Sequence, residues 1–187
     1  IVIRSEEGRS LAVVAGRQVV TQEGLEVLAL GVNQSLEDGM LLGDTLAAVR
    51  AGGAFPVIAW APGKWWFRRG VAVREALERA APNDLALGDS SLRPIGWREP
   101  SLMRRARRRG FCILAGSDPL PPAAEARQVG RYVSLFDGIP FDVAWPAASL
   151  CDALQSGRRA RTGGRRGSIW ETAIRLQAHY RWKQTGR

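Results

Sequence analysis

The chain has 187 residues, and 27 Lys and Arg against 18 Asp and Glu leave a formal net charge of +9. That length suits one domain with a sizeable core, and an apolar fraction of 45% excludes a disordered chain. No apolar run nears the roughly 18 to 20 residues a membrane-spanning helix needs, and the first residues lack the charged-then-apolar pattern of a signal peptide. A cytoplasmic protein with no membrane span is therefore expected. Its two cysteines, Cys112 and Cys151, have neither metal-ligand spacing nor a secreted disulfide pattern, and read as buried free thiols.

In chain order, residues 13–15 and 27–30 read as short buried strands separated by a polar turn at Gln22, Glu23 and Gly24. Residues 45–51 then predict a helix with Leu46 and Val49 on one face, closed by Gly52 and Gly53. A strand over 55–59 leads into an aromatic and basic loop over 60–70, and a helix over 71–81 stops at Pro82. A strand over 84–88, a helix opened by Pro100 and ended by Gly110, and a strand over 111–115 complete the repeat. Alternating strands and helices indicate an α/β fold with parallel strands, as an open sheet or a barrel.

Past Ser156 the character changes. Five arginines interleaved with glycines over 156–167 predict a flexible basic linker. Ser168 and Glu171 then have capping-box spacing, opening a terminal helix over 168–187 with Ile169, Ala173, Leu176 and Tyr180 on one face, to dock on the body of residues 1–155 or on a partner.

Three segments carry a family resemblance. Ala15 and Gly16, then Gln18, then Thr21 to Gly24 and the strand after them resemble the second conserved block of the PHP (polymerase and histidinol phosphatase) family, with Gln18 in the place of a metal-binding glutamate. Gly52 and Gly53, the strand 55–59, and Trp60 with Ala61 resemble its Gly-Gly turn, strand and His-Pro pair. Gly116, Ser117, Asp118, Pro119 and Leu120 resemble its Gly-Ser-Asp-Ala-His block, with Asp118 kept and the histidine replaced by Leu120.

The resemblance implies a distorted (β/α)7 barrel of the TIM-like kind, its first β/α units and their histidines either upstream of Ile1 or lost. Active members hydrolyse phosphate esters with two or three Mn, Zn or Fe ions. Here Asp118 is the one candidate metal residue, and the single histidine, His179, falls in the terminal helix. Such ions need several imidazole or carboxylate ligands at once, so no cofactor is expected and the chain reads as a degenerate, noncatalytic binding or scaffold module. One alternative is a working phosphoesterase whose ligands lie upstream of Ile1.

Gln18, Trp60, Lys64, Arg68, Asp89, Arg93 and Asp118 form the expected ligand rim. Asp118 either contacts a ligand or metal there or closes an Asx turn onto the following amides. A second alternative is nucleic-acid binding through Arg104, Arg105, Arg107, Arg108 and Arg109 on one helix. The aromatic run Trp60 to Phe67 is expected to plug the pocket or to meet a protein partner.

Overall fold

A computed structural model describes residues 1–31 and 35–185. An antiparallel hairpin, β1 (Val2–Arg4) with β2 (Ser10–Ala12), precedes the main sheet. The expected strand over 13–15 is the connection between β2 and β3, where Val13 N–H bonds the Ile1 carbonyl and extends the hairpin by one rung.

The main sheet has five strands in chain order, β3 (Gly16–Val20), β4 (Glu26–Leu30), β5 (Phe55–Ala59), β6 (Ala86–Ser90) and β7 (Cys112–Gly116). β4 runs antiparallel to both neighbours, whereas β5, β6 and β7 are parallel. Between them lie α1 (Leu42–Ala51), α2 (Arg68–Arg79) and α3 (Ser101–Arg108). Two crossovers stepping the same way put α2 and α3 on one face of the sheet. There Leu46, Val49, Val73, Leu77, Met103 and Ala106 pack on Val27, Ile58, Leu87 and Ile113 to form the main core.

The start of α1 is capped from a distance. Its first amide, Leu42 N–H, donates to both oxygens of Glu23 at 3.0 and 3.1 Å, supplying the acceptor that Leu41 at the N-cap cannot. Partial burial works against that carboxylate, but the bonds from Leu42 and Thr21 outweigh it and hold Glu23 below the usual range.

The sheet is open, which corrects the (β/α)7 barrel. Among the described residues there is no closed barrel, and the sheet ends at β3 and β7. Closure requires every edge to find another backbone. Beyond β7, the next strand, β8 (Tyr132–Leu135), offers side chains instead: Ser134 Oγ accepts from Ala115 N–H at 2.7 Å and donates to the Ala115 carbonyl at 3.2 Å. β8 spends its ladder on β9 (Arg161–Gly164), which arises within the stretch expected to be a flexible linker. Gly164 makes that pairing, with φ +72° and a position so close to the Arg131 carbonyl that a side chain would collide with it.

The second sheet face is covered at one end by α4 (Pro146–Gln155). Leu154 packs there on Phe55, Val57, Ala86 and Cys112.

The last helix, α5 (Ile169–Thr185), begins with the expected capping box. Glu171 N–H donates to Ser168 Oγ at 3.1 Å, and Ser168 N–H to Glu171 Oε2 at 2.7 Å. Its orientation departs from expectation. Thr172 and Arg175 are buried, while Ile169, Ala173, Leu176 and Tyr180 face outward. Ion pairs decide this: Arg131 meets Glu171 at 2.6 Å, and Arg175 meets Glu125 at 2.7 Å with side chains only 7% and 9% exposed. The final two residues of the predicted helix lie outside the described residues.

Arg131 and the Ser168 amide hold Glu171 down at about 2, below the roughly 4.3 of an unfolded glutamate. Its folded value is depressed, so its stabilisation is complete above the unfolded value and disappears as pH falls through the folded one. The urea midpoint is therefore expected to fall between about pH 4 and pH 2, with a shallower fall in Glu171→Gln. Equal slopes for the two proteins would contradict this.

Candidate functional site

A cavity of about 370 Å³ opens on the sheet face away from α1, α2 and α3. Register places its lining. Glu26 of β4 continues the row of Ala59 on β5, Gly88 on β6 and Leu114 on β7, with Ser90 and Gly116 one step farther toward the carboxyl ends of the parallel strands. Leu28 and Val57 form the next row back, and Leu30 lies one further row away. Phe136, Leu150 and Leu154 close the other side. Gly116 leaves that part of the floor bare, whereas a Cβ on Gly88 would touch Ala59 and Val57. A Cβ on Gly116 would meet nothing within 4 Å.

Four of the seven expected rim residues border this cavity: Gln18, Trp60, Asp89 and Asp118. They come from the three segments of the PHP resemblance and from the end of β6. Leu120, in the place of the family's histidine, is outside the lining. Trp60 is 8% exposed and joins the helix-side core. The rest of its aromatic run does not fill the cavity: Trp65 is buried with Nε1 donating to the Ala59 carbonyl at 3.1 Å, and Trp66 and Phe67 are exposed.

The other three rim residues sit elsewhere. Lys64 is one side chain removed, with Nζ 2.9 Å from Glu26 Oε1. Arg68 is exposed at the first position of α2. Arg93 is buried against Asp89, with Nε to Oδ1 at 2.7 Å and Nη2 to Oδ2 at 2.5 Å. Tyr132 Oη donates to the same Asp89 Oδ2 at 2.8 Å. Burial opposes the Arg93 charge, but Asp89 more than offsets it and keeps the guanidinium above its usual range. Burial, then the Asp89 charge, pushes the Tyr132 hydroxyl up to about 12. This trio is locked as an ion pair with a neutral phenol beside it.

Asp118 is different. Its backbone has φ +47°, unusual for a residue with a side chain, and its carbonyl accepts from Arg175 Nη2 at 3.1 Å. In place of the expected Asx turn, Oδ2 accepts from the Ser90 hydroxyl at 2.8 Å. The amide of Leu120 goes instead to Glu125 Oε2 at 3.2 Å. Asp118 is exposed as a residue, but partial withdrawal of its carboxyl from solvent, and to a lesser degree the nearby Glu26 charge, raises that group above its ordinary value despite the Ser90 bond.

Glu26 was not among the residues expected from the sequence. Alternation of Glu26, Leu28 and Leu30 along a strand was the available signal, since residues two apart share a face.

The arginines of α3 are largely engaged within the chain. Arg105 pairs with Glu78 at 3.0 Å and Arg107 with Glu99 at 2.7 Å. Arg104 donates to the Glu99 carbonyl, and Arg109 donates to the Leu77 carbonyl while its guanidinium lies over Phe111. Arg108 is exposed.

The residues around the cavity do not fit the metal cluster that the resemblance implies. Among the described residues no three His, Cys, Asp or Glu side chains come together as a metal site. Asp89 and Glu26 already serve cationic side chains. No family model matches the chain, and no curated protein or solved structure matches it. Among the described residues no helix is long and apolar enough to cross a membrane.

Proposed function

We propose that this chain is a degenerate relative of the PHP domain that binds a small ligand in the cavity on its open sheet face, without metal-dependent ester hydrolysis. The observation that carries the reading is convergence. Gln18, Trp60 and Asp118, from three separate segments with the PHP pattern, border one cavity at the carboxyl ends of the parallel strands, where open α/β sheets place their ligands. Apolar walls with a few polar groups are the ordinary make-up of a small-molecule site. A phosphate ester is disfavoured, because the lining contains carboxylates and no Lys or Arg. Nucleic-acid binding by α3 has less support, since most of its arginines already meet carboxylates or carbonyls.

A second reading, a protein partner on α5, is favoured by its outward face, where Trp170 is 77% and Ile174 65% exposed. Sedimentation would test self-association there, and a mass independent of concentration would count against a second copy. A cytoplasmic setting belongs to the same proposal, in keeping with Cys112 and Cys151 as free thiols.

Ligand-observed NMR with a mixture of small amphipathic amines, alcohols and acids tests the cavity. Binding is expected for the native chain and its loss for Gly116→Leu, which fills the bare floor. No binder at about millimolar concentration, or binding that survives Gly116→Leu, would overturn the proposal. Protein from cells grown with added manganese and zinc should hold well below about one equivalent of metal, and stoichiometric metal would contradict the loss of hydrolysis.

A further inference from the structure

The cavity has a charge pattern opposite to that of the chain around it. In a chain of net charge +9, its lining includes Glu26, Asp89 and Asp118 and no basic residue, with the Asp89 carboxylate turned to Arg93 and Tyr132. Asp89 is neutralised by Arg93, and Glu26 by Lys64. Asp118 is not: its carboxylate accepts one bond, from neutral Ser90, and among the described residues it forms no salt bridge. Arg175 approaches only the Asp118 carbonyl and spends its charge on Glu125.

The cavity is also graded along the strands. Glu26, Ser90 and Asp118 mark one end, and Leu28, Val57 and Leu30 the other. Leu30 lies four residue steps along the strand from Glu26, a span of about 13 Å. Phe136 adds an aromatic side chain to the lining, and ring faces attract cations.

We propose that the cavity takes a small organic cation, with an ammonium head at Asp118 beside Glu26 and an apolar body along Leu28, Leu30 and Val57. The head supplies the counter-charge that Asp118 lacks, and the body replaces water over apolar walls. An anion would be repelled by that carboxylate, and a neutral ligand would gain nothing from its charge. Because desolvation holds the Asp118 carboxyl above its ordinary value, affinity for the cation rises with pH as that group ionises.

This inference rests on the ligand-binding reading, and calorimetric titration separates the two. The probes are hexylammonium, hexanol and hexanoate, against the native chain, Asp118→Asn and Gly116→Leu. Gly116→Ala, whose added methyl meets open space, controls for folding, and thermal melts verify each variant. Hexylammonium is expected to bind at least about tenfold more tightly than hexanol, with hexanoate weakest. Asp118→Asn should remove that advantage while leaving hexanol unchanged, and Gly116→Leu should abolish both. If hexanol or hexanoate equals hexylammonium, or Asp118→Asn spares hexylammonium, the ligand class is wrong and the cavity remains a binding site. If no probe binds, or Gly116→Leu spares all binding, the cavity reading falls as well. Manganese that displaces hexylammonium from the native chain but not from Asp118→Asn would put an inorganic cation in its place and overturn the proposal.

Discussion

Arg175→Ala is expected to cost about 3 to 5 kcal/mol of stability, the range for breaking a buried ion pair by deleting one partner. Arg175 reaches four acceptor atoms on three parts of the chain: both oxygens of Glu125, Ser91 Oγ at 2.9 Å and the Asp118 carbonyl at 3.1 Å. Once it is gone, Glu125 keeps its burial and retains only the Leu120 amide. Urea denaturation measures the loss. A double variant, Arg175→Met with Glu125→Leu, should recover most of it, because removing both charges also removes the desolvation cost. A single-variant loss below about 1 kcal/mol would mean that the pair is far better hydrated than its burial implies.

Asp89→Ala should be comparably damaging, at about 3 to 5 kcal/mol. Its carboxylate answers both Arg93 and the Tyr132 hydroxyl, and its side chain is 6% exposed. Deleting it leaves a guanidinium in the interior with only the Trp97 carbonyl at 2.9 Å. Tyr132→Phe removes a single neutral donor and should cost only about 1 kcal/mol. Chemical denaturation of the two variants side by side checks the ranking, and equal losses would mean that the Asp89–Arg93 pair is far better hydrated than its burial implies.

Local elements were legible where their signals are local. The run Phe55–Ala59 is a strand because it is apolar throughout and buried on nearly all its length, as an inner strand must be. The Ser168 and Glu171 box opened α5 because both partners lie within one turn. Closure of the sheet was not legible, since it depends on whether β7 meets a backbone or, as here, the Ser134 hydroxyl. The Arg-rich stretch looked like linker because nothing within it reveals that β8 is waiting to pair.

The rim was legible in part for the same reason. Gln18, Trp60 and Asp118 sit at strand ends or on a strand face that sequence can locate, and all three border the cavity. Arg93 belongs to the turn after β6, and its partners are Asp89, four residues back, and the Trp97 carbonyl, which draw it inward. The face that α5 buries was misjudged because Arg175 and Glu125 lie 50 residues apart, and hydrophobic periodicity carries no trace of that attraction.

The inward face of α5 also sets how that helix should respond to its surroundings. Denaturant sensitivity and heat capacity scale with the apolar area released, and α5 is joined to the body mainly through Arg175, Glu171 and Thr172, with its larger apolar side chains already in solvent. Undocking it should add little to either quantity. The helix is thus held by a fastening that urea and cold reach only weakly, while acid loosens it.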